Sequence, residues 1–533
     1  MTEPARPAPT PAAHRRPGLL WRFIVWLPWI VILLVALYAM ARFLPDEAVT
    51  YTDPVQHFKY GSTGGERESG FPYWIWQALP QVCAEHLPAS ARPAAASATR
   101  PATGPAAGTP AVTGYAALGL IYEDGRDLPI GVSKRRNLGL DRVFLNCAAC
   151  HTSTVRDAPD AAPRIIVGMP AHRFDIRAFE TFFFNCAAGP KFSREFIVPE
   201  IDRLAGKLNP IDRYLVYPVA IALMRERLLM LRGRFEFVFD QPEWGPGRVD
   251  TFNSAKVLFN FPMKMLPAQE LLGASDFPSI WNQRKRMTRD DGERMQLHWD
   301  GNNNHTEERN KSAAFGTGTT PPTIDLAAIG RVEDWLLDAT PPQYPYPIDR
   351  ERAAHGAPLY AEYCAGCHGA SGSDFRGAKV GHVTPIAEIG TDRARLDSYT
   401  RDLAVNQATL YAGYPHRFQH FRKTWGYANM PLDGIWLRAP YLHNGSVPTL
   451  RDLLEPSSMR PAKFARGSDL YDRERVGFAS ALPDAAIGSD AAGLFVFDTT
   501  KPGNGNAGHE GHAYGTDLPD ADKEALVEFL KTF

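Results

Sequence analysis

The chain contains 533 residues, and its 58 basic and 59 acidic side chains leave a formal net charge of -1. This balance excludes the strongly basic surface of a nucleic-acid-binding protein and gives no indication of a polybasic membrane patch. The 45 prolines and 44 glycines predict long irregular connections. The length suits two or three domains, each with its own core, and no nucleic-acid partner is expected.

The N-terminus carries a pattern typical of a membrane anchor. Three arginines within residues 15–22 precede residues 23–40, an uncharged run about as long as the apolar core of a bilayer. The basic residues predict that segment 1–22 is a cytoplasmic tail and that the chain after the helix lies outside. A cleaved signal peptide is the alternative, because Ala-Met-Ala at 39–41 resembles a cleavage site. The run is longer than a typical signal core, so we expect a retained single-pass helix.

Residues 51–112 follow this helix as an N-terminal extension. Residues 88–112 within it consist almost entirely of Ala, Pro, Ser, Thr, Gly and Arg. This composition cannot bury enough apolar surface to order itself, so we predict a disordered surface insertion there.

Two copies of Cys-x-x-Cys-His carry the most specific chemistry of the sequence. Two thiols at this spacing attach a haem covalently, and the adjacent histidine binds the iron. A zinc half-site or a redox Cys-x-x-Cys motif can use two cysteines, but neither requires histidine directly after the second one. We predict two covalently bound haem c groups with the motif histidines as proximal ligands. The residues are Cys147, Cys150 and His151, and Cys364, Cys367 and His368.

Haem attachment of this kind takes place outside the bacterial cytoplasm. The expected location is therefore the bacterial inner membrane, with the haem domains in the periplasm. In this oxidising compartment the two remaining cysteines, Cys83 and Cys186, form either a disulfide or buried free thiols, and the sequence leaves both open.

Helical periodicity predicts one helix after each motif and one before the second. The helices at 324–338 and 520–533 are of the kind that closes a cytochrome c domain. The helix at 350–363 leads into the second motif, where Gly356 and Tyr360 are expected to allow close packing on a partner helix.

These elements predict a mainly α-helical protein with long irregular loops. We expect two cytochrome c-type haem domains in tandem, at 113–341 and 342–533, and one N-terminal transmembrane helix. The proline-rich segment 341–347 is the expected hinge between the two domains.

The group opposite each proximal histidine decides whether a haem carries electrons or binds a small ligand. Two histidines lie in a Gly/Asn-rich loop just before the second closing helix, but no such loop histidine precedes the first. Met169 and Met263 remain competitors in the first domain. We therefore expect the first haem to be five-coordinate or to bind only a labile small ligand. The candidates for the second haem are Met430, His443, His509 and His512.

Residues 430–450, with Pro-Tyr-Leu-His-Asn-Gly-Ser at their centre, resemble the signature of the dihaem cytochrome c peroxidase and MauG superfamily. Residues 248–253, 298–303 and 307–315 resemble the rubber-oxygenase-like dihaem cytochrome c branch. The likeness covers most of the chain from about residue 51 onward. It implies a dioxygen-binding N-terminal haem and a bis-histidine C-terminal haem.

The resemblance also implies roles for individual residues. His151 corresponds to the proximal ligand of the first haem, His368 to that of the second, and His512 to the sixth ligand of the second. A short duplication-like insertion places His509 beside His512, so the choice between these two histidines stays open.

Three further residues are carried over by the resemblance. Phe315 corresponds to an apolar residue over the distal face of the first haem, and Trp299 to an aromatic residue near the route between the haems. Plain core packing is the alternative for both. His443 is expected to lie near the haems, as part of the cofactor-binding site, and to stabilise the interface between the domains.

Two functions follow as hypotheses. The first is an oxidoreductase that uses dioxygen or peroxide, and the apolar Phe315 favours oxygenase-like chemistry because peroxidases need an acid or base there. The second is a pure electron-transfer dihaem cytochrome. The expected partners are a small cytochrome or a quinol-oxidising complex, the membrane, and a small-molecule oxidant. Small lipophilic molecules or peroxide suit a tethered protein better than a rubber-like polymer.

Overall fold

A computed structural model describes residues 19–88, 114–288, 292–482 and 494–533. Most of the expected cytoplasmic tail at 1–22 lies outside the described residues. The same is true of the expected disordered insertion at 88–112, apart from its first residue, so both stay predictions.

The N-terminal apolar run forms one helix, α1 (Leu19–Phe43). Its stretch Phe23–Phe43 is long and apolar enough to cross a membrane, and none of it is buried within the protein. Helix α1 and the turn at 136–140 form a structural unit of their own, in which Gly139 lies against the ring of Phe43. The length and composition of α1 suit a membrane anchor and also a signal sequence.

Residues 48–135 and 141–533 form a second unit, which contains both haem-attachment motifs. Its helices are mostly short and are separated by irregular segments, as the proline and glycine content predicts. They are α2 (Pro54–Tyr60), α3 (Gly65–Glu68), α4 (Tyr73–Val82), α5 (Ile176–Ala188), α6 (Arg194–Ala205), α7 (Tyr217–Arg234), α8 (Thr251–Leu258), α9 (Thr306–Gly316), α10 (Leu326–Asp338), α11 (Arg350–Tyr363), α12 (Ala365–His368), α13 (Ile386–Ile389), α14 (Ala394–Ser398), α15 (Arg401–Thr409), α16 (Leu450–Leu453) and α17 (Asp520–Leu530).

The described strands are short and pair in small separate sheets rather than in one central sheet. One sheet has the order β1-β3-β4-β2, and the other pairs are β5-β6, β7-β8, β9-β10, β11-β14 and β12-β13. The strands are β1 (Glu47–Ala48), β2 (Phe71–Pro72), β3 (Val132–Asn137), β4 (Leu140–Leu145), β5 (Thr152–Val155), β6 (Arg164–Val167), β7 (Arg248–Val249), β8 (Ser275–Asp276), β9 (Val383–Pro385), β10 (Gly426–Ala428), β11 (Lys463–Arg466), β12 (Tyr471–Asp472), β13 (Gly477–Phe478) and β14 (Phe495–Asp498).

The three helices predicted around the motifs are present as α10, α11 and α17. Helix α10 begins two residues later than predicted because the side chain of Asp325 caps it, accepting a hydrogen bond from Ala328 N at 3.0 Å. Helix α17 ends at Leu530, three residues before the predicted end.

Helix α11 packs directly on α17, as the small residue at position 356 predicts. A Cβ atom added to Gly356 would lie 2.0 Å from the carbonyl oxygen of Ala525. The ring of Tyr360 lies 5.3 Å from that of Phe529 and 5.0 Å from that of Phe533, measured between centroids. The glycine therefore allows the backbones to approach while the aromatic rings fill the space beside them.

Both predicted haem domains fall within the second structural unit, so their boundary at 341/342 stays a prediction. Buried ion pairs join the two segments. Arg286 lies 2.8 Å from Asp433, and Arg466 lies 3.0 Å from Asp276.

Cys83 and Cys186 form a disulfide that joins the end of α4 to α5. This confirms the disulfide alternative for these two cysteines. The bond closes a loop over a sequence separation of 103 residues, so it restricts the unfolded chain strongly.

Replacing Gly356 with alanine tests the packing of α11 on α17. The new methyl group would clash with backbone atoms, so we expect a loss of roughly 1–3 kcal/mol of stability, seen as a lower midpoint of thermal unfolding. Gly330 in α10 is the matched control, because a Cβ atom there meets nothing within 4 Å. Equal destabilisation of the two variants would contradict the packing explanation.

Candidate functional site

The first motif follows β4 and leads directly into β5. Nδ1 of His151 donates a hydrogen bond to the carbonyl oxygen of Pro278 at 2.9 Å. This bond leaves the lone pair of Nε2 available to a metal ion. The carbonyl oxygen of His151 accepts a hydrogen bond from Gly168 N at 2.7 Å, so the motif backbone is also held in place.

The second motif lies between α11 and the end of α12, in a helical setting. Nδ1 of His368 donates to the carbonyl oxygen of Met430 at 2.7 Å. The hydroxyl of Tyr360 donates to the carbonyl oxygen of Gly369, which closes the turn after the motif. Two different local structures thus present a histidine through the same hydrogen bond, with Nε2 left available.

The four motif cysteines are partly buried and form no disulfide. Burial raises the pKa of the Cys147 thiol to about 11 and that of the Cys364 thiol to about 12. Each motif borders a hydrophobic cluster that includes its closing helix, with Val332 and Leu336 of α10 near Cys147. Leu526 and Leu530 of α17 belong to the cluster that Cys364 contacts.

His509 lies opposite His368. The centroids of the two rings are 6.3 Å apart. Two imidazoles that bind one metal ion through bonds of about 2 Å have ring centres roughly 6 to 6.5 Å apart. Nδ1 of His509 is buried without a hydrogen-bond partner, and burial lowers the pKa of this ring to about 3, with further lowering by His368 and Arg460. The pair therefore has the spacing and the neutral form that a shared iron needs.

The loop before α17 positions His509 through its backbone. The amide of His509 donates to the carbonyl oxygen of Ile389 at 2.8 Å. The guanidinium of the buried Arg460 donates to the carbonyl oxygens of Gly508 at 2.9 Å and of His509 at 3.2 Å. These bonds fix the loop and direct the ring towards His368.

His512, the sixth ligand that the resemblance implies, lies at the surface, and its role as a ligand stays a prediction. This residue is exposed, and its ring lies 5.8 Å from that of Tyr363 rather than opposite His368. It begins a short 3-10 turn, His512–Tyr514, at the surface. The loop thus directs the first of its two histidines inward and the second outward.

Among the described residues, no aromatic or imidazole ring makes a contact with His151 like the one that joins His509 to His368. Of the segments that the structure leaves undescribed, 89–113, 289–291 and 483–493 contain no histidine, methionine or tyrosine, and 1–18, in the expected cytoplasmic tail, contains Met1 and His14. Met169, one earlier competitor, is fully buried in a hydrophobic cluster with Trp281.

A buried cation lies near His151. Burial lowers the pKa of His151 to about 3, although part of the residue is accessible. Arg309 of α9 is 8% exposed and forms no ion pair with a described carboxylate. Its charge lowers the pKa of His151, and its own pKa falls to about 10, chiefly because of burial. An unpaired buried cation is costly, so an anionic group of a bound cofactor suits this position.

Phe315 and Trp299 have defined packing partners. The ring of Phe315, also on α9, stacks on that of Phe259 with centroids 5.5 Å apart. Nε1 of Trp299 donates to the carbonyl oxygen of Asp276 at 2.8 Å. The roles that the resemblance implies for these two residues stay predictions.

His443 is buried and contacts both predicted haem domains, through Asp276 of the first and Tyr427 of the second. Its ring stacks on that of Tyr427 with centroids 4.0 Å apart, and its Nε2 lies 3.0 Å from the hydroxyl of Tyr427. Its carbonyl oxygen accepts a hydrogen bond from Asp276 N at 2.9 Å. Burial holds the pKa of His443 well below its usual range, and Arg395 and Arg248 lower it further. These contacts suit a residue that stabilises the interface rather than one that binds iron.

Asp276 is a buried carboxylate that sequence reasoning did not identify. It accepts a hydrogen bond from Arg466 at 3.0 Å and lies 3.9 Å from Arg248. Its backbone binds Trp299 and His443, as described above, and it lies two residues before Pro278. Arg309 was missed as well. The signal for Arg309 was its position within the 307–315 motif, six residues before Phe315.

The segment that contains His443 and the Met430 carbonyl matches a known protein family. Residues 426–465 match the family described as RoxA-like, cytochrome c-like. This segment is similar to a RoxA-like cytochrome c domain. The match supports a relationship to rubber-oxygenase-like cytochromes, and a domain of this type implies covalently bound haem c.

Two curated relatives are similar to this chain over more than residues 426–465. Uncharacterized protein y4iM of Sinorhizobium fredii is 30% identical over 287 residues, which cover 48% of this chain and 64% of the relative. Uncharacterized protein y4iJ of the same organism is 26% identical over an alignment that covers 78% of this chain and 83% of the relative. The chain thus spans slightly less than two thirds of the first relative.

The position of His509 generates a spectroscopic prediction. His509→Ala should remove the low-spin bis-histidine signal of one haem and leave a mixed or high-spin signal, because one nitrogen ligand is lost. His512→Ala is the matched control from the same loop and should leave the spectrum unchanged. The reverse pattern in the ferric absorption and electron paramagnetic resonance spectra would contradict the assignment.

Proposed function

We propose that this protein is a membrane-anchored, periplasmic dihaem c-type cytochrome oxidoreductase. Its first haem site would react with dioxygen or peroxide, and its second would transfer electrons. The observation that carries the proposal is the asymmetry between the motif histidines. His368 faces His509 at the spacing of a shared iron, whereas His151 faces no ring of the part of the chain that the structure describes.

The residues around both motifs fit haem c. Cys147 and Cys150, and Cys364 and Cys367, are unpaired thiols at the attachment spacing. His151 would be the axial ligand of the first group, and His368 and His509 those of the second. When bound, haem supplies an iron that exchanges electrons and, where an axial position is open, binds small oxidants.

The protein's own groups would control the first site by charge and by exclusion of water. Arg309 supplies a buried positive charge that would bind a carboxylate of the cofactor. The carbonyl of Pro278 holds His151 in one orientation and one tautomer. Phe315, if it lies over the open face, would offer no acid or base there, which favours oxygenase-like over peroxidase-like chemistry.

Asp276 supports the proposed connection between the two sites. It anchors the indole of Trp299, lies two residues from the carbonyl that holds His151, and forms an ion pair with Arg466 of the C-terminal half. We propose Trp299 as an aromatic group on the route of electron transfer. A small cytochrome or a quinol-oxidising complex would be the electron donor, and small lipophilic molecules would be the substrate class.

Variants that lose one haem each test this division of function. The pairs Cys147→Ala/Cys150→Ala and Cys364→Ala/Cys367→Ala should each retain one of the two covalent haems in a pyridine haemochrome assay. The first pair should abolish turnover with dioxygen and with peroxide but keep the low-spin spectrum. The second pair should lose that spectrum and keep the reactive haem.

His151→Ala and His368→Ala serve as companion variants if a cysteine pair does not fold, because they keep the covalent attachment. Turnover that survives the loss of the first haem would contradict the proposed roles. A wild-type protein that holds both haems but consumes neither oxidant would favour the alternative, a pure electron-transfer dihaem cytochrome.

A further inference from the structure

Helix α7 and the turn before it present an unusual apolar surface to solvent. Residues 210–234 are continuously helical, with a π-helical turn at Asp212–Val216 that leads into α7. Four apolar side chains are spaced four residues apart along this segment, and two more lie beside them. Their exposed fractions lie between 45% and 75%, in a set that we call the outer face: Ile211, Tyr214, Leu215, Val219, Leu223 and Met230.

The opposite side of α7 is also apolar and is packed within the protein. Tyr217, Ile221 and Leu228 are buried there, towards the neighbouring helices α5 and α6. The inner side therefore accounts for the fold of the helix, and the outer face contributes nothing to that core. A contiguous exposed apolar surface of this kind marks a binding surface in a folded protein.

Basic residues accompany the outer face. Residues 207–234 contain six lysines or arginines and two acidic residues. Lys207 and Arg232 are exposed near the two ends of the segment, and the guanidinium of Arg232 lies 5.6 Å from the ring centroid of Phe239. An apolar stripe with flanking cations is the pattern of a helix that lies in the plane of an anionic bilayer surface.

We propose that the outer face of α7 docks on the surface of an anionic lipid bilayer. The same chain contains the apolar helix α1, which is long enough to span a membrane. For a chain held at a bilayer by α1, lipid is the partner at the highest effective concentration. Docking would place the apolar side chains among the acyl chains and the flanking cations among the headgroups. This inference does not depend on either haem site.

Photolabelling of the full-length protein in vesicles tests the proposal. The probe is a phospholipid with a diazirine on its acyl chain, in vesicles of phosphatidylglycerol. Trypsin releases residues 214–225 as one peptide, which contains Leu215, Val219 and Leu223. We expect about tenfold more label there than in peptide 402–417, which carries Val405. Val405 is a matched control because it is 63% exposed, the same as Leu223.

Two further comparisons complete the test. Leu215→Glu/Leu223→Glu should abolish labelling of peptide 214–225 without changing the haem spectrum, because both side chains are exposed. Val405→Glu should change neither the labelling of peptide 214–225 nor the haem spectrum. Vesicles of phosphatidylcholine, or high salt with phosphatidylglycerol, should reduce the labelling, since both weaken the attraction of the cations.

Several outcomes would overturn the proposal. These are equal labelling of the two peptides, labelling that persists in the glutamate variant, and equal labelling in neutral and anionic vesicles. A fourth is an unlabelled outer face together with a dimer in detergent that Leu215→Glu/Leu223→Glu dissociates, which would assign the surface to a second copy of the chain.

Discussion

Nδ1 of each motif histidine donates a hydrogen bond to a backbone carbonyl, and this bond fixes the orientation of both proposed iron ligands. The two carbonyls belong to Pro278 and Met430, which lie 127 and 62 residues from their histidines. The chain must therefore fold over long distances before either histidine has a fixed orientation. The segment that contains Pro278 is itself held by Asp276, a buried carboxylate paired with Arg466. Breaking a buried pair of this kind is costly, so the two halves are held together where the sites need a fixed arrangement.

The two sites are alike on the proximal side and different on the opposite side. Arg460 binds the backbone carbonyls of the loop before α17, which directs His509 towards His368. Near His151 lies the buried cation Arg309 instead. We infer the division of labour from this contrast. A metal ion with nitrogen on both faces passes electrons, and one with an open face can bind a reactant. The outer face of α7 would add a membrane surface to the same chain without involving either site.

Local patterns predicted the local parts of the structure well. The helices α10, α11 and α17 follow from short-range periodicity, and the close packing at Gly356 follows from residue size. Features that depend on long-range folding were not predictable in this way. The position of the His509 ring beside His368 depends on a backbone bond to Ile389 and on Arg460, and no spacing rule contains those contacts. The pairing of Asp276 likewise joins residues far apart in sequence, and the exposure of α7 cannot be read from a helix that is apolar on both sides.

We propose that one haem site is open and the other is closed. Titration of the reduced full-length protein with carbon monoxide, followed by its absorption spectrum, tests this difference. We expect saturation at one carbon monoxide for every two covalent haems, with the bis-histidine spectrum of the second haem unchanged. Binding at both haems, or at neither, would contradict it.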